Sequence, residues 1–206
     1  MDFWGSESVI NNHSTSSTHR ADQINQRILE AAFNCVVRWG VAKTTMEDVA
    51  RECSISRATI YRYFPGGREE LVQSVIAWQA GQFLADLYEV LHGAQSLQDI
   101  LERLIFFSSD YLRNLEVLDR LLATEPDAVI PKLTTEINLM ASTVSGFLVP
   151  YLREFGVNSQ VNIHEAADYL ARMLFSFISS PGDLDLQDRA KVSDLVRVEL
   201  LSGIAY

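Results

Sequence analysis

The run TTMEDVARECSISRATIYRYFPGGREEL, residues 44–71, constrains this chain more than any other stretch, because it encodes two short helices together with their ends. Thr45 can cap a helix, its hydroxyl accepting from an unpaired amide of the first turn. Asp48, three residues on, is a shorter stand-in for the Glu of a capping box, and Glu47 and Asp48 both suit the positive end of the helix dipole. Met46, Val49, Ala50 and Cys53 recur at the spacing of one helix face. Ser54 and Ile55 break that pattern, and Ser56 is a second cap. From Arg57 to Tyr63 a short helix follows, with Ile60 and Phe64 spaced to anchor it inward. Arg57 and Tyr61 share an outward face, flanked by Ala58, Thr59 and Tyr63. Pro65-Gly66-Gly67 ends the helix, since Pro has no amide donor and Gly tolerates positive φ.

Two short helices joined by a tight turn make the helix-turn-helix shape, whose second helix enters the major groove. An Arg at its start can contact guanine through two hydrogen bonds, and an Ala or Thr methyl can touch thymine. Tyr hydroxyls take phosphate oxygens, which position a protein without reading sequence. The competing reading is a packed helical hairpin. Two Tyr and two Arg on so short a helix are poor material for an inward face, so the DNA-reading assignment is preferred.

Three segments then carry a family resemblance: ILEAAFNCVVRWGVAKTTMEDVA, SISRATIYRYF, and REEL leading into a longer helix. Residues 24–78 resemble the DNA-binding domain of the TetR family of bacterial transcriptional regulators. The resemblance implies an all-α chain with a three-helix DNA-binding domain, a linking fourth helix, and a divergent helical-bundle domain that dimerises and binds a small effector. It assigns base reading to Arg57 and Ala58. Thr59 and Tyr63 match positions that contact backbone phosphates, Tyr61 matches a nearly fixed Tyr, and Thr45 matches the cap whose helix end approaches phosphate. Ser56, the cap of the recognition helix, is counted with this DNA-binding set. Arg68 stands for the Lys that opens the fourth helix and contacts phosphate. Two departures accompany the match. Three residues, Pro65, Gly66 and Gly67, separate Phe64 from Arg68 where the family has two, and Ser54 occupies a turn position that is mostly Gly.

A net charge of −10 is unpromising for a DNA binder until the chain is divided. Residues 20–78 carry eight Lys/Arg against seven Asp/Glu, a net of +1, whereas residues 79–206 carry nine against eighteen, a net of −9. The negative charge thus lies away from the DNA-reading segment, as suits a protein that meets DNA with one end.

The sequence predicts a structureless tail over residues 1–20, rich in Ser, Thr and Asn, a DNA-binding domain over 21–67, and an effector and dimerisation domain over 68–206. A first helix is expected from about Ala21 to Trp39, burying Ile24, Ile28, Ala31, Ala32, Cys35, Val36 and Trp39, with Gly40 ending it. A long helix is expected from Arg68 towards His92. Beyond Ser96 the pattern is helical throughout. Breaks are expected at Gly93, Glu125-Pro126, Ile130-Pro131, Phe155-Gly156 and Ser180-Pro181-Gly182, and Pro150 should kink or interrupt its helix.

Two features of the second domain bear on function. Phe106, Phe107, Tyr111, Leu118, Leu122, Met140, Phe147 and Tyr151 supply apolar and aromatic material for a pocket between helices, or for the bundle core itself. The family resemblance favours a pocket, and its lining a fairly hydrophobic effector. The final helices carry apolar stripes, from which Leu170, Leu174, Phe177 and Ile178, with Val192, Leu195 and Val196, are assigned to a homodimer interface. Two-fold pairing doubles the DNA site read and demands a pseudo-palindromic operator.

No nucleophile triad, paired-carboxylate motif or phosphate-cradling Gly loop appears, so no catalytic residue and no cofactor is assigned. The scattered His13, His19, His92 and His164 and the spacing of Cys35 and Cys53 match no metal site. No stretch is apolar enough to span a membrane, and the two cysteines fit reduced thiols of a cytoplasmic protein. The sequence therefore predicts a homodimeric repressor of operator DNA, released by a small hydrophobic effector. The alternatives are an activator of the same family, or a helical ligand- or partner-binding protein that has lost DNA recognition.

Overall fold

The computed structural model describes residues 12–205, the side chains of residues 12–18, 116–119 and 128 excepted. All regular structure among these residues is helical. In chain order the helices are α1 (Asn12–Trp39), α2 (Met46–Cys53), α3 (Arg57–Tyr63), α4 (Arg68–Leu91), α5 (Leu97–Arg113), α6 (Glu116–Thr124), α7 (Pro126–Phe155), α8 (Ile163–Ser179) and α9 (Arg189–Leu195). A π-helical turn at Val196–Leu200 prolongs α9. Helix after helix starts on a side-chain oxygen that accepts from first-turn amides: Thr45, Ser56, Ser96, Asn162 and Asp188. Each satisfies donors that the helix itself leaves unpaired.

The chain forms two compact units, Met1–Trp78 and Gln79–Tyr206, so the division falls within α4 rather than at residue 67. In the first unit, Ile28, Ala32 and Cys35 of α1 meet Val49 and Cys53 of α2, Ile60 of α3, Phe64, and Leu71 and Val75 of α4. Phe33 and Trp78 close the cluster edge to face, with ring centroids 6.4 Å apart. Burial raises the thiols of Cys35, to about 11, and of Cys53, which keeps both protonated and unreactive. Two expectations for α1 need correction. Helix is present from Asn12 rather than Ala21, and Trp39, in the last turn, is 41% exposed instead of buried. The assigned tail therefore is helical over residues 12–20, while residues 1–11 lie outside the description.

In the second unit the core comprises Leu87 and Leu91 of α4, the inward face of α5, Val144, Leu148 and Leu152 of α7, and the stripes of α8 and α9. The helices α7 and α8 pack along one another, and Ser145 donates to Asp168 across the seam at 2.5 Å. The Ile130-Pro131 break is not found: α7 runs through Pro131 and Pro150 as one helix. Both prolines lie on its exposed side, where water can satisfy the carbonyls of Asp127 and Gly146 that lose their amide partners. The other expected breaks coincide with helix ends, including Gly93 and Gly156, both at positive φ.

Candidate nucleic-acid interface

The recognition segment is held at both ends and from behind. Asp48 N donates to Thr45 Oγ1 at 3.2 Å and Thr45 N to Asp48 Oδ2 at 3.2 Å, completing the reciprocal box. The hydrogen bond from Thr45 holds the Asp48 carboxyl below its ordinary range. At the far end of α2, Ser54 adopts the left-handed conformation, φ 53° and ψ 39°, the one non-Gly residue at positive φ among those described. Its strain supports the turn. Ser54→Gly is expected to stabilise the first unit by about 0.5–1 kcal/mol, the relief of strain exceeding the entropy glycine loses on folding. An unchanged or lowered urea midpoint would contradict this. Arg27 of α1 ties the same corner down, its Nη2 donating to the Cys53 carbonyl at 2.9 Å.

Ser56 then caps α3, accepting from Thr59 N at 3.1 Å, and its hydroxyl pairs with Thr59 Oγ1 at 2.8 Å. Ile60 is fully buried and Phe64 nearly so, which fixes the opposite face outward. That outward face carries Arg57, Ala58, Tyr61 and Arg62. The Arg57 guanidinium lies over the Tyr61 ring, 5.4 Å from its centroid, with Nη2 3.5 Å from the Tyr61 hydroxyl. This hydrogen bond is the main reason the guanidinium holds its proton more tightly than usual, with the Glu47 charge a smaller contribution.

Thr45, Arg57, Tyr61 and Arg68 come together around one open concavity of about 320 Å³, completed by Thr44, Met46 and Glu47. The other assigned residues stand apart from it. Ala58 is exposed beside Arg57, Ser56 and Thr59 are engaged in capping, and Tyr63 is half-buried against the core with Arg62 stacked on its ring. Arg68 also has a second duty. Its Nη1 donates to the carbonyls of Ala42 at 2.8 Å and Val41 at 3.4 Å, so it clamps the loop between α1 and α2. Sequence reasoning missed Glu47 and Arg62 as members of this surface. From sequence, Glu47 reads only as a helix-dipole partner, and Arg62 only as one of two Arg unsuited to an inward face.

The apolar set of the second unit divides rather than converging. Phe107 and Tyr111 join Phe83, with centroids 5.3 and 4.9 Å from it. Phe147 and Tyr151 form a separate row with Tyr88 and Phe155. Phe106 lies instead under the Arg189 guanidinium, 5.5 Å away. Leu122 and Met140 are half-buried, and the side chain of Leu118 lies outside the described residues. Tyr111 alone of the set reaches a polar partner, 3.4 Å from Gln79 Oε1, and burial raises its hydroxyl.

The interface assignment needs the larger correction. Leu170, Leu174, Val192, Leu195 and Val196 are buried in the core of their own chain, where α8 packs against α7 and α5, and α9 with its π-helical turn packs against α5. Their periodicity marks a buried face, and the face is buried internally. Phe177 and Ile178 are half-buried against the same core. The large apolar residues that α8 and the π-helical turn leave exposed are Tyr169 and Val198, at 43% and 49%, with Met173 half-buried one turn on.

Among the described residues no cluster of His, Cys, Asp or Glu could hold a metal, and no helix is long and apolar enough to cross a membrane.

Against known proteins, residues 28–75 match the profile of bacterial regulatory proteins of the tetR family. An uncharacterised HTH-type transcriptional regulator of Mycobacterium tuberculosis H37Rv is 24% identical over 180 residues, which cover 87% of each chain. Among solved structures, the TetR family repressor AlkX from Dietzia sp., implicated in biodegradation of n-alkanes, superposes with a TM-score of 0.59 at 24% identity, covering 86% of this chain and 98% of that one. The regulator FadR from Bacillus subtilis, in complex with stearoyl-CoA, gives a TM-score of 0.53 at 18% identity over 87% of this chain and 98% of that one.

Proposed function

Because the chain belongs to the TetR family of bacterial regulatory proteins, which are non-enzymatic DNA-binding transcriptional regulators, we propose that it acts as a homodimeric repressor of a pseudo-palindromic operator, released by a small hydrophobic effector. The observation that carries this reading is the outward face of α3. Arg57, Ala58 and Tyr61 stand free of the core on a helix whose start is capped and whose back is anchored by Ile60. Such a face suits base edges in a major groove, and the helix start capped by Thr45 beside it suits a flanking phosphate.

One such helix reads few base pairs, so a two-fold pair is required for useful specificity. The outward Tyr169 and Val198 supply the apolar contact for that pair. The half-buried aromatic groups around Tyr111 and Tyr151 supply an apolar binding region, and the fatty-acyl ligand of the FadR structure supports a hydrophobic effector class. The helix α4 gives residues to both cores, Leu71 and Val75 to one, Leu87 and Leu91 to the other, and is the natural carrier of an effector signal. Only an effector with different affinity for the two arrangements can drive release. Operator DNA as target makes the cytoplasm the site of action.

The test is binding of purified protein to its own upstream intergenic DNA and to a genomic library, with random duplex as competitor and salt varied. Specific binding that weakens steeply with salt is expected. Failure to enrich any site from the library would overturn the regulator of specific DNA.

A further inference from the structure

The concavity beside α3 holds a carboxylate where a phosphate-seeking surface needs none. Glu47 lines it together with Arg57, Tyr61 and Arg68. Neither cation is idle there. Arg68 donates to the Ala42 and Val41 carbonyls, and Arg57 lies over the Tyr61 ring. We propose that Glu47 is a specificity-determining residue, which holds down binding to non-operator DNA by opposing the entry of a backbone phosphate between Arg57 and Arg68. The inference rests on the DNA-reading function proposed above and deepens it.

Sequence-independent binding is carried by phosphate contacts, so a protein on random DNA settles wherever cations meet phosphates best. The concavity would be such a place, with two guanidiniums facing one opening. A carboxylate at its wall weakens the positive field that a phosphate meets there. It also keeps Arg57 within the protein's own electrostatics, adding to the hold that the Tyr61 hydroxyl exerts on the guanidinium. On operator DNA, Arg57 is drawn instead to a base edge, where two directed hydrogen bonds replace the stacking contact. Phosphate capture by Arg57 and base reading by Arg57 therefore compete, and Glu47 weights the competition towards reading.

Glu47→Gln keeps the side-chain shape and removes the charge. It is expected to raise affinity for random duplex about three- to tenfold at low salt, and to steepen the salt dependence by about one phosphate. Operator affinity should rise less, so the specificity ratio falls. In an Arg57→Ala background the gain on random DNA should vanish, because the competing ligand is gone. Glu30→Gln, which neutralises an exposed carboxylate outside the concavity, is the control and should leave the ratio unchanged. All five proteins, wild type, E47Q, R57A, the double variant and E30Q, are titrated against an operator selected from randomised duplexes and against random duplex. Equal gains on both DNAs, a gain that survives R57A, or an E30Q effect as large as that of E47Q would each overturn the proposal. A wild type that selects no operator would instead bring down the DNA-reading function itself.

Discussion

Replacing Arg57 by alanine is expected to weaken operator binding by roughly 1–3 kcal/mol, about five- to 150-fold, and to relax preference at one base pair in each half-site. The size follows from what the side chain gives up in the free protein and gains on DNA. Its present contacts are a ring face at 5.4 Å and a long hydrogen bond of 3.5 Å, both at an exposed surface. A cation over an aromatic ring at such a site is worth about 0.5–1 kcal/mol. A paired contact to guanine exceeds that, so the stacked arrangement yields on the right sequence and holds on the wrong one. Tyr61→Phe keeps the ring and most of the stacking, and is expected to change operator affinity far less than R57A. Competition titrations against operators varied one base pair at a time check both. An equal loss on operator and random DNA would show that Arg57 only neutralises phosphate, and would remove base reading from it.

The extent to which such predictions can be written from sequence differs sharply between the two units. In the first, the signals are local and mutually consistent. Thr45 and Asp48 announce one helix start, Ser56 another, and Met46, Val49, Ala50 and Cys53 fall on the face that is found buried. What escaped notice there is long-range. The Arg68 guanidinium spends itself on carbonyls of Val41 and Ala42, and Arg27 on that of Cys53, pairings for which no sequence pattern exists. Glu47 was visible as a residue but not as a neighbour of Arg57.

In the second unit, periodicity identifies apolar faces without saying what covers them. A stripe on α8 reads the same whether it meets a second copy or α5 and α7 of the same chain. The aromatic residues of the middle helices read from sequence as one set, yet Phe107 and Phe147 belong to different groups. Pro131 was expected to stop a helix, since a proline lacks a donor, but a proline facing solvent leaves carbonyls that water can serve.

That ambiguity over α8 has a decisive experiment. Leu170 is fully buried among the core residues of its own chain, so Leu170→Ala is expected to destabilise the fold by about 2–5 kcal/mol, the range for deleting a buried leucine side chain. The loss should appear as a lower urea midpoint whatever the protein concentration. Val198→Glu addresses the outer side, where 49% of the residue is exposed. It should leave the midpoint of the isolated chain close to that of the wild type and convert a dimer to a monomer in light scattering. The Tyr169 hydroxyl donates to the Glu199 carbonyl at 3.2 Å, so this ring joins α8 to the turn that carries Val198, and Tyr169→Glu should act in the same direction. If L170A instead gave a well-folded monomer with an unchanged midpoint, its side chain would have to lie between copies rather than within one. If V198E stayed dimeric, pairing would run through another surface, and the spacing of the two reading helices would have to be set there.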